Sequence, residues 1–330
     1  MDEQLAEGLY DALLTSGLEE RLKASLLEAD QAKIHTAENP EVLARHVGQG
    51  LRRVLPDQSS DTQLQLVNEL IARIGDDGNH VVDLQRLIRV TAPPRPGHSR
   101  TYGAHPSTRL SDAALLTNAS GEPALGTEIR AELESADQVD LLCAFIKWHG
   151  LRTLENQLRQ VAERGVPLRV ITTTYIGATD RRAIDRLVQE FGAEVRISYE
   201  IERTRLHAKA WLFRRDSGFD TAYVGSSNLS HSALLDGVEW NVRLSAVATG
   251  SLLRKFRATF DSYWADPAYE LYDPDRDTQR LDTALAEAGG RKRIAKPSHC
   301  LGSRYAPIRT NRKLWKPWRQ SATRATTETS

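Results

Sequence analysis

Between residues 110 and 268, short apolar strands alternate with amphipathic helices, and this alternation constrains the fold more than any other feature of the chain. The run Val139–Phe145 is apolar, which is typical of a strand covered on both faces of a sheet. Predicted strands follow at 168–173, 194–199, 207–213, 221–224 and 240–244, and predicted helices at 151–163, 179–191 and 251–264. This order predicts an α/β fold with a mixed, mainly parallel sheet between helix layers.

The segments on either side of this region differ from it in composition. Residues 1–91 carry apolar side chains at helical spacing, such as Leu5, Leu9 and Leu13, and are predicted to form a small all-helical region. Residues 92–109 are rich in Pro, Gly and Ser and are predicted to be a linker. Residues 110–268 would form the main domain, and 269–330 a basic C-terminal segment that is disordered after 290.

The net charge of zero hides an uneven distribution. Residues 291–330 contain 11 Lys or Arg and a single acid, Glu328, whereas the rest of the chain has 33 basic and 43 acidic residues. A basic end on an acidic body could bind nucleic acid, but a disordered, solvated tail is the preferred interpretation. We find no run of about 18 apolar residues, which a membrane span requires. The two cysteines, Cys143 and Cys300, predict no disulfide framework, so a cytoplasmic location is expected.

Residues whose side chains can bind an anion or take part in catalysis cluster in 207–241. If 207–213 is a strand, His207 and Lys209 lie on the same face and point at one anion, because side chains alternate along a strand. A second strand ends at Gly225, where a backbone can approach a ligand closely. Ser226 and Asn228 follow with hydrogen-bond donors for phosphate oxygens, and a carboxylate such as Glu239 can orient a histidine.

This series resembles the active-site motif of the phospholipase D (PLD)-like superfamily, also called the HKD superfamily. The family pattern is His-x-Lys, then an Asp five residues after the Lys, then Gly-Ser-x-Asn, then a Glu eleven residues further on. His207, Lys209, Ser226, Asn228 and Glu239 match it. The sequence departs from the pattern at Arg214, which stands where the family has the Asp.

A closer resemblance covers about residues 105–265. It looks like the N-terminal PLD-like nuclease domain that precedes the helicase core in a group of bacterial DEAD/DEAH-box helicases. The resemblance is carried by the runs at 145–150, 168–185, 205–213 and 222–245. The chain has no Gly-x-x-x-x-Gly-Lys-Ser/Thr loop, so the helicase core is missing and a helicase becomes a possible partner.

The resemblance implies a metal-independent phosphodiesterase without a cofactor. His207 would attack the phosphorus and form a phosphohistidine, while Lys209, Asn228 and Ser226 hold the phosphate oxygens and Glu239 orients His207. The superfamily uses two copies of the motif around one site, and this chain has one. A homodimer that supplies the second histidine is therefore expected, although His149 and His231 are possible local substitutes.

Several further residues are assigned either to substrate binding or to structure. Gly225 and Ser227 belong to the motif turn. Thr173, Thr174, Tyr175 and Trp148 follow strand ends, where open α/β sheets bind ligands, but they equally well terminate the strands. Lys147, Arg181 and Arg182 either contact a phosphate backbone or form a solvated surface.

Three functions compete at this stage. The first is a nuclease, with DNA favoured over RNA. The second is a nucleic-acid-binding module that has lost turnover and partners a helicase, and the third is a lipid or small-molecule phosphodiesterase. Membrane binding is not expected, because no amphipathic membrane-binding face is evident in the sequence.

Overall fold

The computed structural model describes residues 5–25, 27–90, 105–200 and 205–294, with side chains described as far as 290. The chain divides into two compact units, 1–99 and 100–330. Residues 92–104 of the predicted linker lie outside the described residues. The tail after 294, which contains Cys300 and for which disorder is predicted, also lies outside them. Within the described residues, no helix combines the length and the apolar character needed to cross a membrane.

The first unit is helical, as the leucine spacing predicts. Its helices are α1 (Ser16–Ala24), α2 (Asn39–Val54) and α3 (Ser60–Arg73). Helix α3 ends at a left-handed glycine, Gly75, with φ of 74°. The N–H groups of Gly75 and Asp76 donate to the carbonyls of Ala72 and Ile71 over 3.1 and 3.2 Å. These bonds satisfy the last carbonyls of the helix, and glycine adopts the required conformation without steric cost.

The second unit is built on one eight-stranded sheet. Its strands are β1 (Ala114–Leu116), β2 (Gln138–Cys143), β3 (Leu168–Thr173), β4 (Glu194–Ser198), β5 (Lys209–Arg214), β6 (Thr221–Gly225), β7 (Asn241–Ser245) and β8 (Glu270–Leu271). Their order across the sheet is β1-β7-β6-β5-β2-β3-β4-β8. The strands that carry the motif residues, β5, β6 and β7, are therefore neighbours, with β2 on the other side of β5.

Helices cover both faces of this sheet. They are α4 (Leu125–Ser135), α5 (Trp148–Thr153), α6 (Glu155–Glu163), α7 (Arg181–Gln189), α8 (His231–Leu235), α9 (Gly250–Ala265) and α10 (Pro274–Ile294). Leu141 of β2 packs in the large core cluster with residues of α4, α6 and α7. Its neighbour Leu142 packs on the opposite face, with Phe260 of α9. A strand buried on both faces is apolar at successive positions, which explains the run at 139–145.

The mixed α/β architecture between helix layers is confirmed, but the prediction of a mainly parallel sheet is wrong. Only β2–β3 and β3–β4 are parallel, and the other five neighbouring pairs are antiparallel. Parallel neighbours need a helical crossover, which α5 and α6 supply for the first pair and α7 for the second. Strand β5 lies antiparallel beside β2, and the six residues 215–220 return the chain into β6. Alternation of strands and helices along a sequence does not reveal this reversal.

The second unit extends beyond the boundary predicted at 268. Strand β8 pairs with β4 through Arg196 and Leu271. Tyr272 and Leu281, which follow it, are buried in the large core cluster. Residues 270–290 thus pack on the sheet and its helices.

A buried carboxylate, Glu132 of α4, joins several elements of the unit. It accepts hydrogen bonds from the hydroxyl groups of Thr221 and Tyr223, both at 2.8 Å, and from Nη2 of Arg243 at 2.9 Å. Arg215 also donates to it. Burial raises the pKa of Glu132, but the charges and hydrogen bonds of Arg215 and Arg243 outweigh burial and hold the pKa below its ordinary value.

Candidate active site

His207 and Lys209 lie side by side at one end of β5, although the predicted strand begins too early. His207 precedes the strand and is exposed, whereas Lys209 begins it and is buried. The ladder to β2 ends at the pair Cys143 and Lys209, so His207 has no partner residue in a strand. Lys209 Nζ lies 2.8 Å from Nδ1 of His207 and donates to the His207 carbonyl over 2.7 Å. The two side chains meet because the ammonium folds back onto the histidine, not because they share a strand face.

The Lys209 ammonium has no carboxylate partner at ion-pair distance in the part of the chain that the structure describes. Burial lowers the pKa of Lys209, and the weaker electrostatic effects of Cys143 and Glu239 act in the opposite direction. An amine that is buried without a counter-ion favours an arriving anion, because the anion supplies the missing charge. The site is therefore electrostatically suited to a phosphate.

Gly225 allows β6 and β7 to come together beside the site. A Cβ atom added there would lie 2.1 Å from the carbonyl oxygen of Trp240, a distance that no side chain tolerates. The backbone that approaches Gly225 is thus that of the chain entering β7. This close contact fixes the position of Ser226, whose N–H donates to the same Trp240 carbonyl over 3.1 Å.

The structure pairs Ser226 with Glu239. The Ser226 hydroxyl donates to the Glu239 carboxylate and accepts the N–H of Trp240 at 3.1 Å. In the described residues no hydrogen bond joins Glu239 to His207, so the predicted orienting contact is not formed in this state. Glu239 reaches the motif through Ser226 and through its electrostatic effect on Lys209.

The two other residues of the motif turn have different surroundings. Ser227 is buried, and its hydroxyl accepts a hydrogen bond from the Asn241 amide over 2.8 Å. It therefore holds the turn onto β7. Asn228 accepts the N–H of Phe145 through Oδ1 at 3.2 Å. Because a backbone N–H must face the oxygen of the amide, the Asn228 NH₂ group is directed elsewhere and remains a donor for a substrate.

An aromatic side chain that the sequence did not single out, Phe145, forms one wall of the site. Its ring meets the His207 ring edge to face at a centroid distance of 5.6 Å. Tyr175 stacks beyond it, with ring centroids 6.5 Å apart. The only sequence signal for Phe145 is its place as the last apolar residue of the 139–145 run. Such an edge-to-face contact restricts the orientation of the imidazole.

The threonines at the end of β3 do not reach this wall. Thr173 and Thr174 are both buried, and the Thr173 hydroxyl donates to the Ser198 carbonyl over 3.1 Å. Thr173 also accepts the N–H of Tyr175 at 3.1 Å. These contacts terminate the strand, and Tyr175, which follows it, reaches the site by stacking on Phe145.

Cys143 lies beneath the site as a buried free thiol, as its apolar surroundings predict. Burial raises the pKa of Cys143 to about 11, so the thiol is neutral near pH 7. Its sulfur accepts the N–H of Leu229 at 3.2 Å and thereby ties the end of β2 to the motif turn.

Arg214, at the motif's Asp position, lies at the opposite end of β5 from Lys209. Five residues along a strand correspond to about 17 Å. Arg214 Nε donates to Asp140 over 3.0 Å, and Nη2 donates to Asp261 over 2.9 Å. Arg169 contacts the same two acids. The charge is thus reversed at position 214 and balanced by acids from β2 and α9, in a network remote from His207.

The two histidines named as local substitutes for the second motif are both exposed. His149 lies in the first turn of α5, and His231 is the first residue of α8. Neither contacts His207 in the described structure. The site therefore presents one histidine and one lysine of the motif.

Residues 129–264 match the protein family described as "Cardiolipin synthase, PLD-like domain". Together with the fold and the arrangement of His207, Lys209 and Asn228, this match shows that residues 129–264 are similar to a PLD-like superfamily domain. No curated protein matches the chain.

The chain is also similar to three solved structures. They are the phospholipase D family member Nuc from Salmonella typhimurium (18% identity, TM-score 0.38, covering 49% of this chain and 99% of that one), NucT from Helicobacter pylori (14%, 0.38, 49% and 99%) and phosphatidylserine synthase from Haemophilus influenzae Rd KW20 (12%, 0.38, 55% and 45%).

Proposed function

We propose that this chain is a metal-independent nuclease that cleaves DNA through a phosphohistidine on His207. One observation carries the proposal: the buried Lys209 ammonium, without a carboxylate partner in the described residues, lies 2.8 Å from an exposed imidazole. Enzymes of the PLD-like superfamily cleave or transfer phosphodiesters, and this pair of side chains is what such chemistry needs. A phosphate is drawn to the ammonium while the imidazole remains accessible for attack.

The reaction has two steps with balanced bonds. An imidazole nitrogen of His207 attacks the phosphorus, forming a P–N bond as the P–O bond to the leaving group breaks. The leaving oxygen takes a proton from a second acid. Water then attacks the phosphohistidine, the P–N bond breaks, and the second group takes the proton from the water.

The remaining residues stabilise charge or hold the others in position. Lys209 and the NH₂ group of Asn228 bind the non-bridging oxygens and balance the charge that develops on them. Ser226 and Glu239, which bond to each other, complete the rim of the site. Orientation of His207 by Glu239 stays a prediction, as does phosphate contact by Gly225, Ser227, Thr173 and Thr174. Tyr175 acts through Phe145 as part of the wall.

The second histidine is proposed to come from another copy of the chain. Exposed apolar side chains lie beside the motif turn: Val224 of β6, Val242 of β7 and Leu115 of β1 are paired across neighbouring strands, and all three are at least 40% exposed. Trp240, next to Glu239, is also exposed. A homodimer through this surface would bury the apolar row and bring a second His207 towards the first.

Two other functions remain as outcomes of the test. In one, the site binds nucleic acid without turnover, in the cytoplasm and in partnership with a helicase. In the other, the substrate is a lipid phosphodiester, which the description of the matched family favours. Arg214 gives no reason to expect a loss of turnover, because it lies at the far end of β5 from Lys209 and its charge is balanced by Asp140 and Asp261.

The decisive experiment incubates the full chain with labelled single-stranded DNA, double-stranded DNA, RNA and cardiolipin vesicles in excess EDTA. We expect cleavage of DNA and an acid-labile phosphoenzyme that is absent from the His207→Asn variant. Salt-dependent DNA binding without product would support the binding module. Turnover of the vesicles alone would support the lipid enzyme, and DNA cleavage retained by His207→Asn would overturn the assignment of the nucleophile.

The dimer has its own test. Leu115→Glu and Val242→Glu place charges on the apolar row without touching the motif. We expect them to convert a dimer into a monomer in sedimentation and to remove DNA cleavage. A wild-type chain that is monomeric and active would contradict the shared site, and His149→Ala and His231→Ala would then identify the second histidine.

A further inference from the structure

A second cationic feature lies beside the proposed active site, where α5 and α7 begin. The guanidinium of Arg182 stacks on the indole of Trp148, with its central carbon 3.7 Å from the ring centroid. Arg186 lies over the same indole at 5.2 Å. Together with Asp185, Gln189 and Glu190, these side chains line an open cleft of about 360 Å³.

Arg182 differs from the basic residues around it because it has no acidic partner in the described residues. Lys147 pairs with Asp180 at 3.2 Å, and Arg186 pairs with Glu155 and Glu190 at 2.6 and 2.7 Å. Arg181 pairs with Asp185 and Asp282. The acids that line the cleft are therefore already balanced by other arginines, and Arg182 is the cation whose charge is left over.

The stack holds Arg182 without using its hydrogen-bond donors. A guanidinium is planar, and all five of its N–H groups lie in its plane. When its face rests on an indole, these donors remain directed outwards. An arginine held in this way loses less side-chain freedom when it binds an anion, and its fork matches two oxygens of a phosphate.

The cleft is tied to the catalytic residues through a short stretch of backbone. Trp148 lies three residues after Phe145, whose ring contacts His207, so the two Cα atoms are at most about 11 Å apart. The N–H of Lys147 donates to the Leu229 carbonyl over 2.8 Å, directly beside Asn228. The N–H of Trp148 donates to Asp180 over 2.9 Å, which fixes the start of α5.

We propose that Arg182, held by Trp148, binds a second phosphate of the substrate strand, near the bond that His207 attacks. The inference rests on the proposed function and extends it, since it assigns a polymeric substrate to the site. A second phosphate contact orients the strand and favours a nucleic acid over a small diester. Arg182 is thus a substrate-binding residue outside the motif.

The test compares an oligonucleotide with bis(p-nitrophenyl) phosphate, a diester that carries a single phosphate and so cannot offer one to His207 and another to Arg182. We expect Arg182→Gln to raise KM for a single-stranded oligonucleotide about 10-fold, the usual effect of losing a hydrogen bond to a charged group. The salt dependence of oligonucleotide binding should lose about 0.7 from its logarithmic slope, the contribution of one phosphate. Turnover of the small diester should not change.

Arg254→Gln is the matched control. Arg254 is an exposed arginine on α9, also without an acidic partner in the described structure, and its removal should leave all three quantities unchanged. Trp148→Leu keeps the charge of Arg182 but removes its support, so a smaller rise in KM is expected. Arg182→Lys should restore part of the lost affinity.

The outcomes separate this inference from the function on which it rests. An unchanged oligonucleotide KM in Arg182→Gln, or an equal loss of activity on both substrates, would overturn the phosphate contact. If wild type cleaves neither substrate, the proposed nuclease fails. Fluorescence anisotropy of a labelled oligonucleotide would then still decide whether Arg182 binds a phosphate.

Discussion

The two ends of strand β5 carry similar side chains in opposite electrostatic settings. At one end, Lys209 is buried beside the exposed His207 and has no acidic partner in the described residues. At the other end, Arg214 is balanced by Asp140 and Asp261. Arg215, the next residue, donates to the buried Glu132. The same strand thus has one end with an unbalanced cation and one end where each arginine has a carboxylate.

This difference indicates which charges belong to stability and which to function. A buried charge without a partner is costly, so a fold that retains one gains nothing from it until an anion arrives. The ion pairs of Arg214 hold β2, β5 and α9 together. The Lys209 ammonium, at the other end, is available to bind an anionic ligand. The comparison predicts opposite effects of substitution at the two ends, and the following variants test it.

The largest effect on stability is expected from Glu132→Gln. This change leaves Arg215 and Arg243 buried without a carboxylate, and breaking a buried ion pair in this way costs about 3–5 kcal/mol. The free energy of unfolding, measured by urea denaturation, should fall by that amount. Because the pKa of Glu132 is lowered in the folded state, its contribution is present above the ordinary carboxyl pKa and is lost as the pH falls through the lowered value.

The matched control for Glu132→Gln is His207→Asn. His207 is exposed, so its replacement should change the free energy of unfolding by less than about 0.5 kcal/mol while removing turnover. Equal losses of stability in the two variants would show that the ends of the strand do not differ as proposed.

The next effect concerns turnover and its dependence on pH. Lys209→Gln should lower kcat about 100-fold, the usual cost of losing one donor to a developing oxyanion. In wild type the ammonium is lost at a lower pH than in an ordinary lysine, because burial lowers the pKa of Lys209. Activity should therefore decline as the pH rises through this lowered pKa.

Lys209→Arg sharpens this prediction, since it retains a charge that does not titrate in the same range. Its residual activity should persist at higher pH than that of wild type, as measured by profiles of kcat/KM against pH. If kcat/KM declined at the same alkaline pH in both proteins, the group that titrates would not be Lys209.

The smallest effect is expected at Arg214. Arg214→Gln removes one arginine from a network in which Arg169 still contacts Asp140 and Asp261, so the free energy of unfolding should fall by about 1 kcal/mol. Turnover should stay within about twofold of wild type, because the residue lies about 17 Å along the strand from Lys209.

Arg214→Asp introduces the residue of the family motif and is the sharper variant. It would place a third carboxylate beside Asp140 and Asp261, so it should destabilise the fold more than Arg214→Gln does. A gain of activity in this variant would instead show that the departure from the motif limits catalysis.

Much of the local structure follows from the order of residues alone. Apolar spacing predicts the helices of the first unit, and Gly75 ends α3 because only glycine takes that conformation at no cost. The strand at Leu168–Thr173 and the burial of Cys143 follow from apolar runs. The motif residues from His207 to Glu239 are also evident in the sequence, because their spacing is local and specific.

Tertiary structure decided the features that depend on residues far apart in the chain. The reversal of β5 beside β2 depends on how the chain crosses the sheet, which alternation of strands and helices does not encode. The balance of Arg214 arises from Asp140 and Asp261, 74 and 47 residues away. Phe145 contacts His207, and Arg182 stacks on Trp148, only in the folded chain. The motif residues are close together in the sequence and can be recognised there. The charges and aromatic rings around them come from distant residues, so only packing determines them.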